Sequence, residues 1–117
     1  MLDKLLEIRY TLHVNNFIEA AYRATKRSTH PYQQMVALVF KGGSVLAVAH
    51  NTWRREGHCE RRAIRPHSDM RGATIVVVRS NRGVSRPCET CYAAIRAAGI
   101  KKVIYIGFDR EICVERI

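Results

Sequence analysis

The stretch "ATIVVVRSNRGVSRPCETCYAAIRAAGIKKVIYIGF", residues 73–108, decides how this chain is read. It opens on "ATIVVVRS", an almost unbroken run of apolar, mostly β-branched residues, which predicts a strand buried on both faces. "NRGVSRP" is loop. "CETCYAAIRAA", Cys88 to Ala98, is Ala-rich and predicts a helix that Gly99 stops. "KKVIYIGF" is a further strand. Strand, helix, strand in so short a span is the mark of an α/β sheet.

The same reading extends outward. From Leu2 to about Thr25 the apolar residues recur mostly at three and four, which predicts an amphipathic helix. Pro31 discourages helix at His30. "QMVALVF" and "SVLAVAHN" flank a "KGG" turn and read as a hairpin. "NTWRREG" is a polar loop. His58 to about Arg65 predicts a short helix that must end near Pro66. "EICVERI" reads as a last strand. The order is α, β-β, α, β, α, β, β, with helices packed on the faces of a sheet. No repeat, low-complexity tract or linker interrupts it. A single domain over 1–117 is expected, with an N-terminal helix at 1–25 and a core at 34–117.

Composition narrows the partners. The chain has 117 residues, 47% hydrophobic, enough to bury a core. No apolar run is long enough to cross a bilayer. "MLDKLLEIRY" is broken by charges and does not read as a signal peptide, so a cytoplasmic protein (host cytoplasm, if the source is viral) without membrane partners is expected. The formal net charge is +10, from 20 basic and 10 acidic residues. Nine arginines and three acids lie between Arg54 and Arg86, a local excess of +6. That favours an anionic partner, a nucleotide or a single-stranded nucleic acid.

Four cysteines, Cys59, Cys88, Cys91 and Cys113, read as metal ligands or free thiols rather than disulfides in a chain without a secretory signal. Taken alone, Cys88-x-x-Cys91 has three readings: zinc half-site, redox pair or coincidence. A thioredoxin-like pair would sit after an early strand, whereas this one comes late. His58 changes the balance. It lies at the start of a predicted helix that follows a strand, as do Cys88 and Cys91. Helix starts at the same end of a sheet would bring the three together. One histidine and two cysteines make three protein ligands for zinc, and a catalytic zinc leaves its fourth place to water. No fourth ligand stands at suitable spacing. Glu60, two residues past His58, can then act on that water as general acid and base.

These residues, "HCE" and "PCETC", match His-x-Glu followed by Pro-Cys-x-x-Cys, the pattern of zinc-dependent nucleobase deaminases. From about Val36 onward the chain resembles the cytidine/deoxycytidylate deaminase superfamily, and the compact pattern "SRPCETCYAAIRAAGIKKVIY" resembles its small viral and phage-type members. The resemblance implies a three-layer α-β-α fold with a five-stranded mixed sheet. It implies a zinc ion held by His58, Cys88 and Cys91, with Glu60 as proton shuttle. Zinc hydroxide would attack C4 of cytosine in a deoxycytidylate- or cytidylate-like nucleotide, ammonia would leave, and uracil would remain. Adenine, attacked at C6, is the same chemistry, and single-stranded DNA or RNA is the alternative substrate. Histidine as first ligand sets the chain apart from the usual free-cytidine deaminases. Homo-oligomerisation is a further implication.

Four residues are candidates for substrate contact. Asn51 stands where many relatives place a sugar-binding asparagine, though it reads equally as a turn residue ending a strand. Cys59 would act through its backbone N–H. Its side chain, where alanine is common, reads as a small buried hydrophobe. Trp53 could stack on a base or cap the core. Arg86 is the candidate from the arginine cluster. Tyr92 and Tyr105 read as packing residues. The rival to an enzyme is a non-catalytic, zinc-stabilised nucleic-acid-binding module, which gives Glu60 no task.

Overall fold

A computed structural model of the chain describes residues 2–28, 34–52, 58–64 and 69–117, with the side chains of the first helix described from residue 13 onward. Trp53, Arg65, Pro66 and His67 lie outside the described residues.

Helix α1 (Leu2–Ala24) runs into a 3-10 turn at Thr25–Arg27. Among the described side chains Val14, Ile18 and Ala21 of α1, and Thr25 just past it, are buried, at the three- and four-residue spacing that lines one helix face. The hairpin β1 (Met35–Lys41) and β2 (Ser44–His50) turns on Gly42, whose φ of +59° glycine adopts at no steric cost. A short α2 (Cys59–Ala63) precedes β3 (Thr74–Arg79), α3 (Glu89–Ala97), β4 (Lys102–Ile106) and β5 (Ile112–Arg116). The expected order of elements is therefore the observed one. α2 is shorter than expected, because Ile64 is already extended at ψ 117°.

The sheet order is β2-β1-β3-β4-β5. β1 is antiparallel to both β2 and β3, β3 is parallel to β4, and β4 is antiparallel to β5. The sheet is thus mixed and five-stranded. β3 is central, and five of its six residues are buried. Its alternate side chains feed two cores. Val76 and Val78 join Leu38, Phe40 and Ile104 beneath α1, where Val14, Ile18 and Ala21 meet them. Ile75 and Val77 join Ala37, Val39, Val103 and Tyr105 beneath α2 and α3, with Cys59, Ala63, Tyr92 and Ile95. The outcome is three layers, α1 on one face and α2 with α3 on the other.

α3 ends in a two-bond glycine cap. The N–H of Gly99 bonds to Arg96 O at 3.0 Å and the N–H of Ile100 to Ile95 O at 3.3 Å, with Gly99 at φ +83°. Ile95 and Ile100 are both buried, the apolar contact that accompanies such a cap.

The direction of β1 places the chemistry. Because β1 runs opposite to both neighbours, β2 and β3 run the same way. Their carboxyl ends open at one rim of the sheet, and α2 and α3 start beyond those ends.

Candidate metal centre

His58 is the N-terminal cap residue of α2 and Cys88 that of α3; neither makes a side-chain cap bond. Their side chains are left to face each other. His58 Nδ1 lies 3.9 Å from Cys88 Sγ and 3.5 Å from Cys91 Sγ. All three donor atoms fall within 4.8 Å of one another, and among the described residues no other group of this kind occurs. Tetrahedral zinc, with sulfur at about 2.3 Å and nitrogen at about 2.05 Å, places such a nitrogen and sulfur about 3.6 Å apart. The set fits zinc in geometry and in chemistry. His58 and Cys88 are exposed and Cys91 is buried, so the group is reachable from solvent.

The thiols differ in their surroundings. At Cys88, burial acts to raise the pKa, but hydrogen bonds from Thr90 (3.1 Å) and Cys91 outweigh it and hold the value below that of a free thiol. Cys91 is pushed up to about 12, by burial first and then by the negative charge of Glu60. A buried thiolate beside a carboxylate is costly, and a cation at that point would remove the cost.

Glu60 lies in the first turn of α2 and is only 4% exposed. Its carboxylate is turned to the cysteines. It accepts a hydrogen bond from Cys59 Sγ at 2.9 Å, and its charge is felt at the Cys91 thiol. Cys59 itself is fully buried in the α2/α3 core, as expected of a small hydrophobe. Its sulfur is directed at Glu60 and is not among the grouped ligand atoms.

Asn51 is buried and its carboxamide oxygen is taken up locally. It accepts from the Met35 N–H at 2.9 Å and from the Ser28 hydroxyl at 2.5 Å. Asn51 thereby ties the end of β2 to the start of β1. Arg86 lies on the loop before α3. Its guanidinium is 3.6 Å from Glu115 and 4.9 Å from the centre of the Tyr92 ring, with half of the side chain still exposed. Arg61 and Arg62 are exposed on α2.

Ser85 escaped the sequence reading. It is 1% exposed and sits where β3 and β4 part. Its hydroxyl donates to Val77 O (2.7 Å) and accepts from the Ile106 N–H (2.9 Å), and its own N–H bonds to Ile106 O (3.0 Å). It pins the loop that delivers Cys88. A serine in a polar loop carries no sequence signal for this task.

A family model, the cytidine and deoxycytidylate deaminase zinc-binding region, matches residues 13–107. The chain belongs to that family. The match spans His58, Glu60, Cys88 and Cys91, and zinc is the metal this centre is built for. No curated protein sequence matches the chain. Among solved structures it is similar to a diaminohydroxyphosphoribosylaminopyrimidine deaminase/5-amino-6-(5-phosphoribosylamino)uracil reductase from Thermotoga maritima, at TM-score 0.64 and 25% identity, over 80% of this chain. It spans only 29% of that protein. A dCMP deaminase from the cyanophage S-TIM5 matches at TM-score 0.58 and 22% identity, over 75% of this chain and 80% of the phage protein. RibD from Acinetobacter baumannii matches at 0.61 and 21%, over 78% of this chain and 27% of that one. The latter two likenesses establish the fold, the three-layer arrangement expected of the family.

Proposed function

We propose that the chain is a hydrolytic, zinc-dependent deaminase that converts cytosine to uracil in a nucleotide-type substrate. The observation that carries this is Glu60: a buried carboxylate two residues past His58, whose charge reaches the Cys91 thiol of a three-ligand, solvent-reachable metal centre. A purely structural zinc would call for four protein ligands and would have no use for that carboxylate. Zinc at this centre supplies Lewis acidity and a water acidic enough to react near neutral pH. Glu60 is placed to accept a proton and to return it to the departing amine. Water is consumed and ammonia is released.

The family and the phage dCMP deaminase support a nucleotide substrate. Among the described residues, Arg61, Arg62 and Arg86, exposed on α2 and before α3, are the candidate cations for a substrate phosphate. Asn51 and the backbone N–H of Cys59 complete the candidate contacts. The net charge of +10 favours a second reading, a single-stranded polynucleotide substrate.

The test is a panel of deoxycytidine, its mono- and triphosphates, and short single-stranded DNA and RNA, read by mass for loss of the amine. Product from the monophosphate with a shallow salt dependence supports the nucleotide reading. Product from oligonucleotides with a steep salt dependence supports the polynucleotide reading. No ammonia from any cytosine, adenine or guanine substrate overturns the enzyme and leaves a zinc-stabilised binding module. Self-association belongs to the same reading and is checked by sedimentation.

A further inference from the structure

Glu115, near the end of β5, points to the α2/α3 side of the sheet and gathers three elements on one carboxylate. Its Oε2 accepts from the Tyr92 hydroxyl at 2.6 Å, and its Oε1 accepts from the Tyr105 hydroxyl at 2.7 Å. Arg86 Nε stands 3.6 Å from the same Oε1. The Arg86 guanidinium lies over the ring of Tyr92 at 4.9 Å and within 6.0 Å of the Tyr105 ring centre. The Arg96 guanidinium lies 5.5 Å from the centre of the same Tyr92 ring. Hydroxyl-to-carboxylate bonds this short are charge-assisted and stronger than neutral ones.

The positions of these partners in the chain matter most. Tyr92 directly follows the ligand Cys91. Arg86 precedes the ligand Cys88 by two residues. The segment between them, Pro87 to Cys91, carries both thiols and little else. One carboxylate on a distant strand therefore grips both ends of the segment that supplies two of three metal ligands. Tyr105 on β4 steadies the carboxylate from the sheet side.

We propose that Glu115 is a positioning residue of the metal centre: through Tyr92 and Arg86 it holds Cys88 and Cys91 with their sulfurs directed at His58. Groups that orient metal ligands from outside commonly contribute a factor of about 10–100 to metal affinity, and a group acting through the backbone belongs at the lower end. This inference uses the ligand set alone. It stands or falls on metal retention, whereas the proposed function stands or falls on product formation.

The test uses the zinc-loaded protein with Glu115→Gln, and a double variant Tyr92→Phe with Tyr105→Phe that removes both hydroxyls while leaving the Arg86–Glu115 pair. Zinc transfer to a chromogenic chelator gives the release rate. The thiolate-to-metal absorption band of the cobalt-substituted protein reports the geometry at sulfur. Melting of the metal-free protein reports stability apart from the metal. Release about tenfold faster in Glu115→Gln with an altered cobalt band, beside whatever fall in metal-free melting the weakened hydrogen bonds bring, is the expected result. The double variant is expected to shift release in the same direction by less. Parental release and a parental cobalt band in Glu115→Gln overturn the proposal, as does a loss seen only in metal-free melting. If Glu115→Gln does not fold, the double variant decides, and parental release there overturns it equally.

Discussion

The thiol of Cys59 donates a hydrogen bond to Oε1 of Glu60, its neighbour in the chain, at 2.9 Å. Burial first, and then the charge of Glu60, raise the pKa of that thiol far above the usual range, so it stays protonated and stays a donor. Cys59→Ala removes the donor and leaves the ligands untouched. A hydrogen bond to a charged group contributes about 1.5–3 kcal/mol, and part of that is expected as a roughly tenfold fall in kcat with KM and zinc content unchanged. Cys59→Ser restores a donor and is expected to recover most of the rate. Steady-state kinetics with zinc analysis on both variants checks this.

Glu60→Gln keeps the shape of the side chain and removes the proton transfer proposed for it. Deamination is expected to fall by at least about 10²–10⁴-fold, the usual contribution of general acid–base catalysis. Zinc is expected to remain bound, since Glu60 is outside the ligand group. Ammonia release and metal analysis on the same preparation make the comparison.

Ser85→Ala strips the bridge between β3 and β4. The Val77 carbonyl and the Ile106 N–H lose a buried partner. Leaving buried polar groups unpaired costs about 1–3 kcal/mol, so a melting temperature lower by several degrees is expected. Differential scanning calorimetry of the zinc-loaded protein measures it.

Gly99→Ala meets two obstacles. The backbone there is left-handed at φ +83°, and a Cβ would fall 2.5 Å from Arg71 Cγ and 3.1 Å from Arg71 Cα. The left-handed conformation alone costs a non-glycine residue about 1–2 kcal/mol. A loss above 2 kcal/mol, read by urea unfolding, is expected once the contact is added.

The pH dependence of stability follows from the Glu115 group. Hydrogen bonds from Tyr105 and then Tyr92 favour the charged carboxylate and lower its pKa. A lowered carboxylate pKa contributes stability above the unfolded value near 4.5, and that contribution fades as pH falls through the folded value. Tyr92 is raised, by burial first and then by Glu115, so its contribution is whole below pH 10 and is lost as pH climbs beyond it. Glu115→Gln is expected to flatten the acid limb of a melting-temperature profile between pH 3 and 5, roughly the range of carboxylate titration.

Much of this was legible in the sequence because the signals are local. The run "IVVV", residues 75–78, declares a strand buried on both faces, since it offers nothing polar to solvent on either. His58, Cys88 and Cys91 are legible because zinc accepts few side-chain types and catalysis leaves one place open. What escaped depends on residues far apart in the chain. Ser85 looks like loop, and only the parting of β3 from β4 gives its hydroxyl two partners. Tyr92 and Tyr105 do pack against the core, as their apolar rings suggest. Their hydroxyls meet on Glu115 because β5 returns antiparallel beside β4. Asn51 was open between turn and ligand, and its carboxamide oxygen sits on the Met35 N–H.

The reversed strand β1 has a consequence for assembly. His58 is delivered by β2 and the two cysteines by β3, and no hydrogen bond joins those strands directly. They share a rim only when both seams of β1 are closed in register. A slip of one residue at either seam would turn that strand's side chains to the other face and move one half of the centre away from the other. Zinc affinity is therefore a gauge of sheet alignment. A chain that paired the strands wrongly would hold the metal by Cys88 and Cys91 alone, so tight binding would favour the correctly threaded molecule by mass action.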